Sequence, residues 1–400
     1  MTLKEELEIL RGEPIELKAG NPMDIPCIET SDSEKLCKHP VVSVHMTTYN
    51  HEPYIRQAIE GVMMQKTDFE FELIIGEDCS QDKTREICFE YQKKYPDKVR
   101  VLWSNENLYH IKGNSARCAC RYRGEFVAFC EGDDYWIDPL KLQKQVDIMR
   151  KYPNVGFCFC NADILWERSG EMEHWRGSDA YVPGVIRGRL FHLYYLLGKD
   201  PCVGCRSEGF INTATVMFRR SVATELRKRF SIFSWQLMLG DKQLWLGLSA
   251  LADVYYLKDI VSVYRKTGTG AMATRGSLVF RDSALIKIYF GKVFLGLRNR
   301  DVPAAVFRQA FYNAIGVQRL KSIKVEALYC IRLLRSGLFR AELMRMEFAC
   351  QYLGMLSAVC CRVIQACFSK LAYHFRNKRV SRRIVELYSD CEHGVAGRMG

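Results

Sequence analysis

The sequence predicts an α/β protein, with a Rossmann-like, mostly parallel sheet flanked by helices and an α-helical C-terminal region. Three observations lead there. From Pro40 onward, short apolar runs alternate with stretches of helical periodicity, the pattern of βαβ units. Acidic and polar residues gather directly after the apolar runs, at the strand ends where open α/β sheets bind ligands. Beyond Phe280 the strand signals fade and amphipathic, basic helical patterns take over.

Taken in order, residues 1–39 are acidic and read as an extension with a short helix from Leu3 to Leu10. The first strand is Val41 to Met46, followed by the loop Thr47-Thr48-Tyr49-Asn50 and a helix from about Tyr54 to Met64. Phe69 to Ile75 is the second strand. It runs into Gly76-Glu77-Asp78-Cys79-Ser80, then into a helix that begins near Asp82 and passes through Arg85 and Tyr91. Val99 to Trp103 is the third strand, Gly113 to Tyr122 a helix, and Glu125 to Cys130 a fourth strand ending in Glu131-Gly132-Asp133-Asp134. Asp138 caps the next helix, with Pro139 at its first position, as far as Tyr152. Val155 to Cys160 is a fifth strand, and residues 161–275 mix both signals. The expected domains are an N-terminal extension over 1–39, a catalytic domain over 40–275 and a basic helical region over 276–400.

Composition narrows the function. The net charge is +12, but basic residues outnumber acidic ones by 21 to 8 between Arg281 and Gly400, so the first 280 residues are close to neutral. Seventeen cysteines spread through a chain of 400, many inside apolar runs, fit a reducing cytosol better than a disulfide framework. Cys202 and Cys205 form a C-x-x-C without a second pair at zinc-site spacing. The N-terminal residues lack the pattern of a signal peptide, and the longest uncharged apolar stretch, Phe348 to Cys361, is short for a membrane span. Motifs of P-loop, dinucleotide-binding and serine-hydrolase proteins are absent.

The densest chemistry is Glu131-Gly132-Asp133-Asp134. Three carboxylates in four residues after a buried strand repel one another unless a cation joins them. Mg²⁺ or Mn²⁺ with diphosphate oxygens fits that need, since such ions take one or two carboxylates plus phosphate. A solvated acidic turn is the plain alternative. Glu77-Asp78 ends its strand in the same way and either accepts hydrogen bonds from a nucleoside or only caps the following helix. His45 reads as a core residue, and His51 and His110 as loop residues with no visible partner.

Together, VSVHMTTYNHEPYIRQAI (42–59), ELIIGEDCSQDKT (72–84) and GNSARCACRYRGEFVAFCEGDDYW (113–136) resemble the donor-binding half of glycosyltransferase family 2, which has the GT-A fold. The family's T-x-Y-N, D-D-G-S-x-D-x-T and D-x-D motifs occur in order. Glu77 replaces the first Asp of the second motif, Cys79 its Gly, and Glu131 the first Asp of D-x-D. The resemblance covers about residues 40–275. It implies that Thr47, Tyr49, Glu52, Glu77 and Asp78 contact the nucleoside, that Glu131 faces the ribose, and that Asp133 ligates Mn²⁺ or Mg²⁺.

Leu239 to Leu246 is similar to the family's x-D-x-x-L-W-L segment. Asp241 is then the general base that takes the acceptor hydroxyl's proton; as a bare sequence feature it could equally cap a helix. Ile211 to Arg219 looks like the strand before that helix. Tyr264-Arg265 and Thr267 to Gly270 resemble the Y-R-x-H-x-G-S loop that closes over the diphosphate. No His follows Arg265 here, yet Arg265 can still neutralise phosphate. The processive-synthase motif Q-x-x-R-W is absent, so one sugar per encounter is expected.

The resemblance therefore implies an inverting transfer from a nucleotide-sugar donor, a UDP-sugar, to a glycan or lipid-linked acceptor in cell-surface polysaccharide synthesis. The competing expectation is a non-catalytic binding or scaffold protein with a degenerate site. Arg332, Arg335, Arg340, Arg376, Lys378, Arg379, Arg382 and Arg383 could bring the basic region to an anionic membrane surface at the cytoplasmic face. A solvated helical bundle is the bland reading, and nothing resembles a nucleic-acid module.

Overall fold

The structure is a computed structural model of the chain. It describes residues 24–109, 113–174, 182–188, 211–229 and 240–268, with a few isolated positions outside them. The chain divides into two units, Met1–Phe311 and Tyr312–Gly400, and every described residue lies in the first. The expected helix from Leu3 to Leu10 falls outside the described residues except for Glu5 and Glu8. His110, Cys202, Cys205 and nearly all of the basic region also lie outside them.

Eleven described strands form one mixed sheet. They are β1 (Ile28–Thr30), β2 (Val42–Thr48), β3 (Phe71–Glu77), β4 (Val99–Trp103), β5 (Phe126–Phe129), β6 (Tyr135–Trp136), β7 (Val155–Trp166), β8 (Glu171–His174), β9 (Gly184–Ile186), β10 (Met217–Arg219) and β11 (Asp253–Lys266). The main path runs β1-β4-β3-β2-β5-β10-β7-β11-β6, with β8 on β7 and β9 on β11. Strands β4, β3, β2 and β5 are mutually parallel, and β7 with β11 is parallel again. The short β10 enters antiparallel between β5 and β7.

The helices are α1 (Ile55–Met63), α2 (Thr84–Lys94), α3 (Gly113–Ala119), α4 (Lys141–Lys151), α5 (Arg220–Arg229) and α6 (Gly240–Leu251). The expected mostly parallel sheet flanked by helices is therefore present. β2 is buried along nearly its whole length, its polar residues included: Ser43 donates to Glu72 (2.6 Å) and His45 bonds the Tyr122 hydroxyl. Helix α1 buries Ile55, Ala58, Ile59 and Val62, one stripe at helical spacing. At Gly61 a Cβ would lie 2.9 Å from the backbone of Trp136, so only glycine lets α1 approach β6 this closely.

Three elements differ from expectation. The segment Ile28–Thr30, expected in an extension, pairs antiparallel with β4 at the sheet edge. It is fastened there by Glu29 on Arg100, whose guanidinium also reaches the buried Glu72. Helix α4 begins at Lys141 rather than Pro139, because the Asp138 carboxylate accepts the Leu140 N–H (2.9 Å) and caps a preliminary turn. Residues 211–219 are not one strand. Asn212 accepts the Ala214 N–H and caps a 3-10 turn over Thr213–Thr215, leaving only Met217–Arg219 extended.

The strand order reverses at β2: β3 and β4 lie on one side, β5 on the other. In such sheets the loops at the carboxyl ends diverge at the reversal and leave a crevice for ligands. The loops in question are 49–54 after β2 and 130–134 after β5.

Candidate active site

Three backbone bonds build the floor of this crevice. The Cys130 N–H donates to His45 O (3.0 Å), Gly132 N–H to Thr47 O (2.9 Å), and Asp78 N–H to Thr48 O (3.0 Å). The loops after β2, β3 and β5 are thus laced together. Gly132 is required there: a Cβ would sit 2.7 Å from Thr48 Oγ1 and 2.9 Å from His51 Nδ1.

The first loop is also locked to the second. Asn50, at φ 52°, donates its N–H to Ser80 Oγ (3.0 Å) and accepts the Gln81 N–H (2.8 Å). His51 N–H donates to Thr84 Oγ1, and Glu52 N–H to Asp82 Oδ2. Glu52 Oε2 accepts the Lys83 N–H, so Glu52 helps to begin α2. Thr47 is half-buried and Tyr49 exposed, 42% of its surface facing solvent.

Glu77 is fully buried. Its Oε1 accepts the Ser80 N–H (2.6 Å) and its Oε2 the Arg85 Nε–H (2.5 Å), so the carboxylate expected on a nucleoside is committed to shaping its own loop. Arg117, also buried, donates to the Glu77 carbonyl and to Asn114 Oδ1, holding the end of β3 from the other side. Asp78 Oδ1 accepts the Leu108 N–H (2.8 Å). Cys79 has φ 62°, a conformation that suits glycine, which is what the family motif has at this place.

Across the crevice, burial and the neighbouring Asp133 push Glu131 up to about 8, with Asp241 adding to the repulsion. Asp134 is raised far above the usual carboxylate range by burial, then by Asp133 and Glu131. Its Oδ1 accepts the backbone N–H of Arg265 (2.9 Å). Tyr264 is pushed up by burial and by Asp134, Asp133, Glu131 and Asp241 together. Asp241, in the first turn of α6, therefore lies within electrostatic reach of the Glu131–Asp134 loop although far from it in sequence.

The Arg265 guanidinium pairs with Glu167 (2.9 Å), donates to Gln57 and lies over the Tyr54 and Tyr135 rings, so it is held by protein groups where a phosphate contact was expected. His45 is a core residue as expected, bonded to the Tyr122 hydroxyl at 2.7 Å and pushed down to about 3 by burial. His51 does have a neighbour: its Nε2 lies 4.0 Å from Asp133 Oδ2. Burial pushes its pKa down, opposed by Asp133 and Asp82. Tyr264 and His51 carried no pairing signal in the sequence, since their partners lie on other strands.

The donor set suits an oxygen-seeking divalent cation. Glu131 Oε2 is buried without a hydrogen-bond partner, and the loop holds three mutually repelling carboxylates. Among the described residues no group of three or more His, Cys, Asp or Glu side chains encloses a metal. No described helix is long and apolar enough to cross a membrane.

The fold and the crevice define a ligand-binding α/β domain with an acidic centre. Residues 43–226 match the model of Glycosyl transferase family 2, a little under half of the chain. An uncharacterized protein of Mycobacterium tuberculosis is 30% identical over 229 residues, 57% of this chain and 60% of the relative. The chain thus spans about 60% of that relative's length. The UDP-Glc:alpha-D-GlcNAc-diphosphoundecaprenol beta-1,3-glucosyltransferase WfgD of Escherichia coli is 33% identical over 126 residues, 31% of this chain and 47% of WfgD. The crystal structure of S. aureus TarS 1-349 aligns over 75% of this chain and 87% of that one at 18% identity and TM-score 0.47, a likeness too loose to carry an inference.

Proposed function

We propose that this chain is an inverting glycosyltransferase that moves one sugar from a nucleotide-diphosphate sugar to a hydroxyl of a glycan or lipid-linked acceptor, in cell-surface polysaccharide synthesis. The observation that carries the reading is the convergence of Asp241 with Glu131, Asp133 and Asp134 at the sheet's reversal point. Such a transfer needs one carboxylate to take a proton and another to hold the cation that meets the donor's diphosphate, and Asp241 and Asp133 are the candidates for the two roles. The match of residues 43–226 to the family model and the similarity to WfgD, whose name specifies a UDP-Glc donor, support a UDP-sugar.

Thr47, Tyr49 and Asp78 line the nucleoside side, while Glu52 and Glu77 hold that wall in shape. Glu131 faces the ribose. Asp133 holds the divalent cation, Mn²⁺ or Mg²⁺, which supplies positive charge to offset the leaving diphosphate. Asp241 accepts the proton of the acceptor hydroxyl as its oxygen bonds to the anomeric carbon. The bond from that carbon to the diphosphate breaks on the opposite face, and its electron pair leaves with the diphosphate. Arg265 acts through its backbone N–H, which fixes Asp134, and through its guanidinium, which packs the wall.

The catalytic domain spans residues 40–275, and the basic region over 276–400 reaches an anionic cytoplasmic membrane surface where a lipid-linked acceptor would lie. Two measurements test this. A panel of nucleotide sugars with Mn²⁺ should yield nucleoside diphosphate from one donor; turnover of none, with Asp133→Ala leaving nucleotide affinity unchanged, supports the scaffold reading instead. Sedimentation with anionic vesicles should show binding at low salt that high salt reverses.

A further inference from the structure

The loop after β2 carries a group that the proposed chemistry has not used. His51 projects toward the β5 loop, and its Nε2 stands 4.0 Å from Asp133 Oδ2. That is too long for a hydrogen bond. The gap is wide enough to hold one ion between the two groups, since two metal bonds of about 2.1 Å set nearly in line span roughly 4.2 Å.

The imidazole's position is built. Its backbone N–H is fixed on Thr84 Oγ1 at 2.8 Å, and its carbonyl accepts the Tyr54 and Ile55 N–H groups at the start of α1. The ring stands edge-on to Tyr54. Gly132 supplies the clearance, because any Cβ there would strike Nδ1. Thr48 Oγ1 and His51 Nδ1, both beside Gly132, and Glu131 Oε2 on the β5 loop are buried without a hydrogen-bond partner. Thr48 is only 2% exposed, so its hydroxyl is sealed into the same corner. Buried polar atoms left unmatched on the loops after β2 and β5 point to a ligand between those loops.

We propose that His51 is a protein ligand of the divalent cation, binding it together with Asp133 from the opposite lip of the crevice. The inference rests on the metal-dependent reading above and adds a nitrogen to what was an all-oxygen set. A nitrogen ligand changes ion choice: imidazole favours transition metals, whereas Mg²⁺ prefers carboxylate, carbonyl and water. The site therefore selects Mn²⁺ over Mg²⁺, and His51 is the cause.

The test uses the full chain with Mn²⁺ alone and then Mn²⁺ with UDP, reading affinity by calorimetry and the ion's ligands by electron spin-echo modulation. Bound Mn²⁺ should show a directly coordinated nitrogen whose signal changes when histidine is labelled with ¹⁵N, a readout that needs no variant. His51→Gln should abolish the nitrogen signal and weaken Mn²⁺ at least about tenfold, while Mg²⁺ affinity changes less. Absence of the nitrogen signal in the unaltered protein overturns the inference, even if His51→Gln weakens binding, because His51 would then act only through Asp133. If Asp133→Ala abolishes Mn²⁺ binding and His51→Gln leaves it intact, the metal reading stands and this inference falls. If Asp133→Ala changes nothing, both fall.

Discussion

Asp134 Oδ1 accepts the backbone N–H of Arg265 at 2.9 Å, tying the carboxylate loop after β5 to the far end of β11. The bond reinforces the short β11–β6 pairing and the Arg265 contacts with Gln57 and Tyr54. Removing the acceptor strands a buried N–H, so Asp134→Ala should lose roughly 1–3 kcal/mol in urea unfolding. Asp134→Asn keeps an acceptor and should lose less.

Glu131 gives the nucleotide-free protein a pH dependence of definite sign. Its folded pKa, about 8, lies above the ordinary 4.5, so the folded chain holds a proton that the unfolded chain has released. Its contribution is fully present below about 4.5 and is lost as pH rises to about 8. Glu131→Gln should flatten that slope and stabilise the metal-free protein at pH 8 by on the order of 1 kcal/mol or more, while weakening donor binding. Unfolding midpoints at pH 5 and 8 for both proteins check it.

Cys79 sits at φ 62°, where a side chain costs on the order of 1 kcal/mol. Cys79→Gly should be neutral to stabilising by up to about 1 kcal/mol, the gain being reduced by glycine's extra freedom when unfolded. Cys79→Val should destabilise by more. Denaturant midpoints of the three proteins decide.

Arg85 is the cation beside the fully buried Glu77. Arg85→Ala leaves that carboxylate uncompensated and should cost about 3–5 kcal/mol. Loss of nucleotide affinity should accompany it, because the Ser80 end of the loop hangs on the same carboxylate. Thermal unfolding with and without nucleotide separates the two effects.

The half of the fold from β2 to β5 was legible because its strands are short segments rich in apolar residues set between helical patterns, and their loops concentrate the carboxylates. Asp133, Asp78 and Asp241 were marked by that placement and by motif. What was hidden depended on tertiary proximity. Nothing in the sequence near His51 points to Asp133, which lies on the neighbouring strand's loop. Glu77 reads as a ligand-facing acid until Arg85 and Ser80 are seen to occupy both its oxygens. The sequence around Asn212 shows apolar content without revealing that its own side chain would turn the backbone into a 3-10 cap.

The central claim is that Asp241 accepts the acceptor's proton in a site organised by Asp133, and comparing Asp241→Asn with the unaltered enzyme under saturating donor and Mn²⁺ tests it most directly. The account predicts a kcat reduced by about 100-fold or more with donor KM nearly unchanged. An unchanged kcat, or a loss confined to KM, would contradict it.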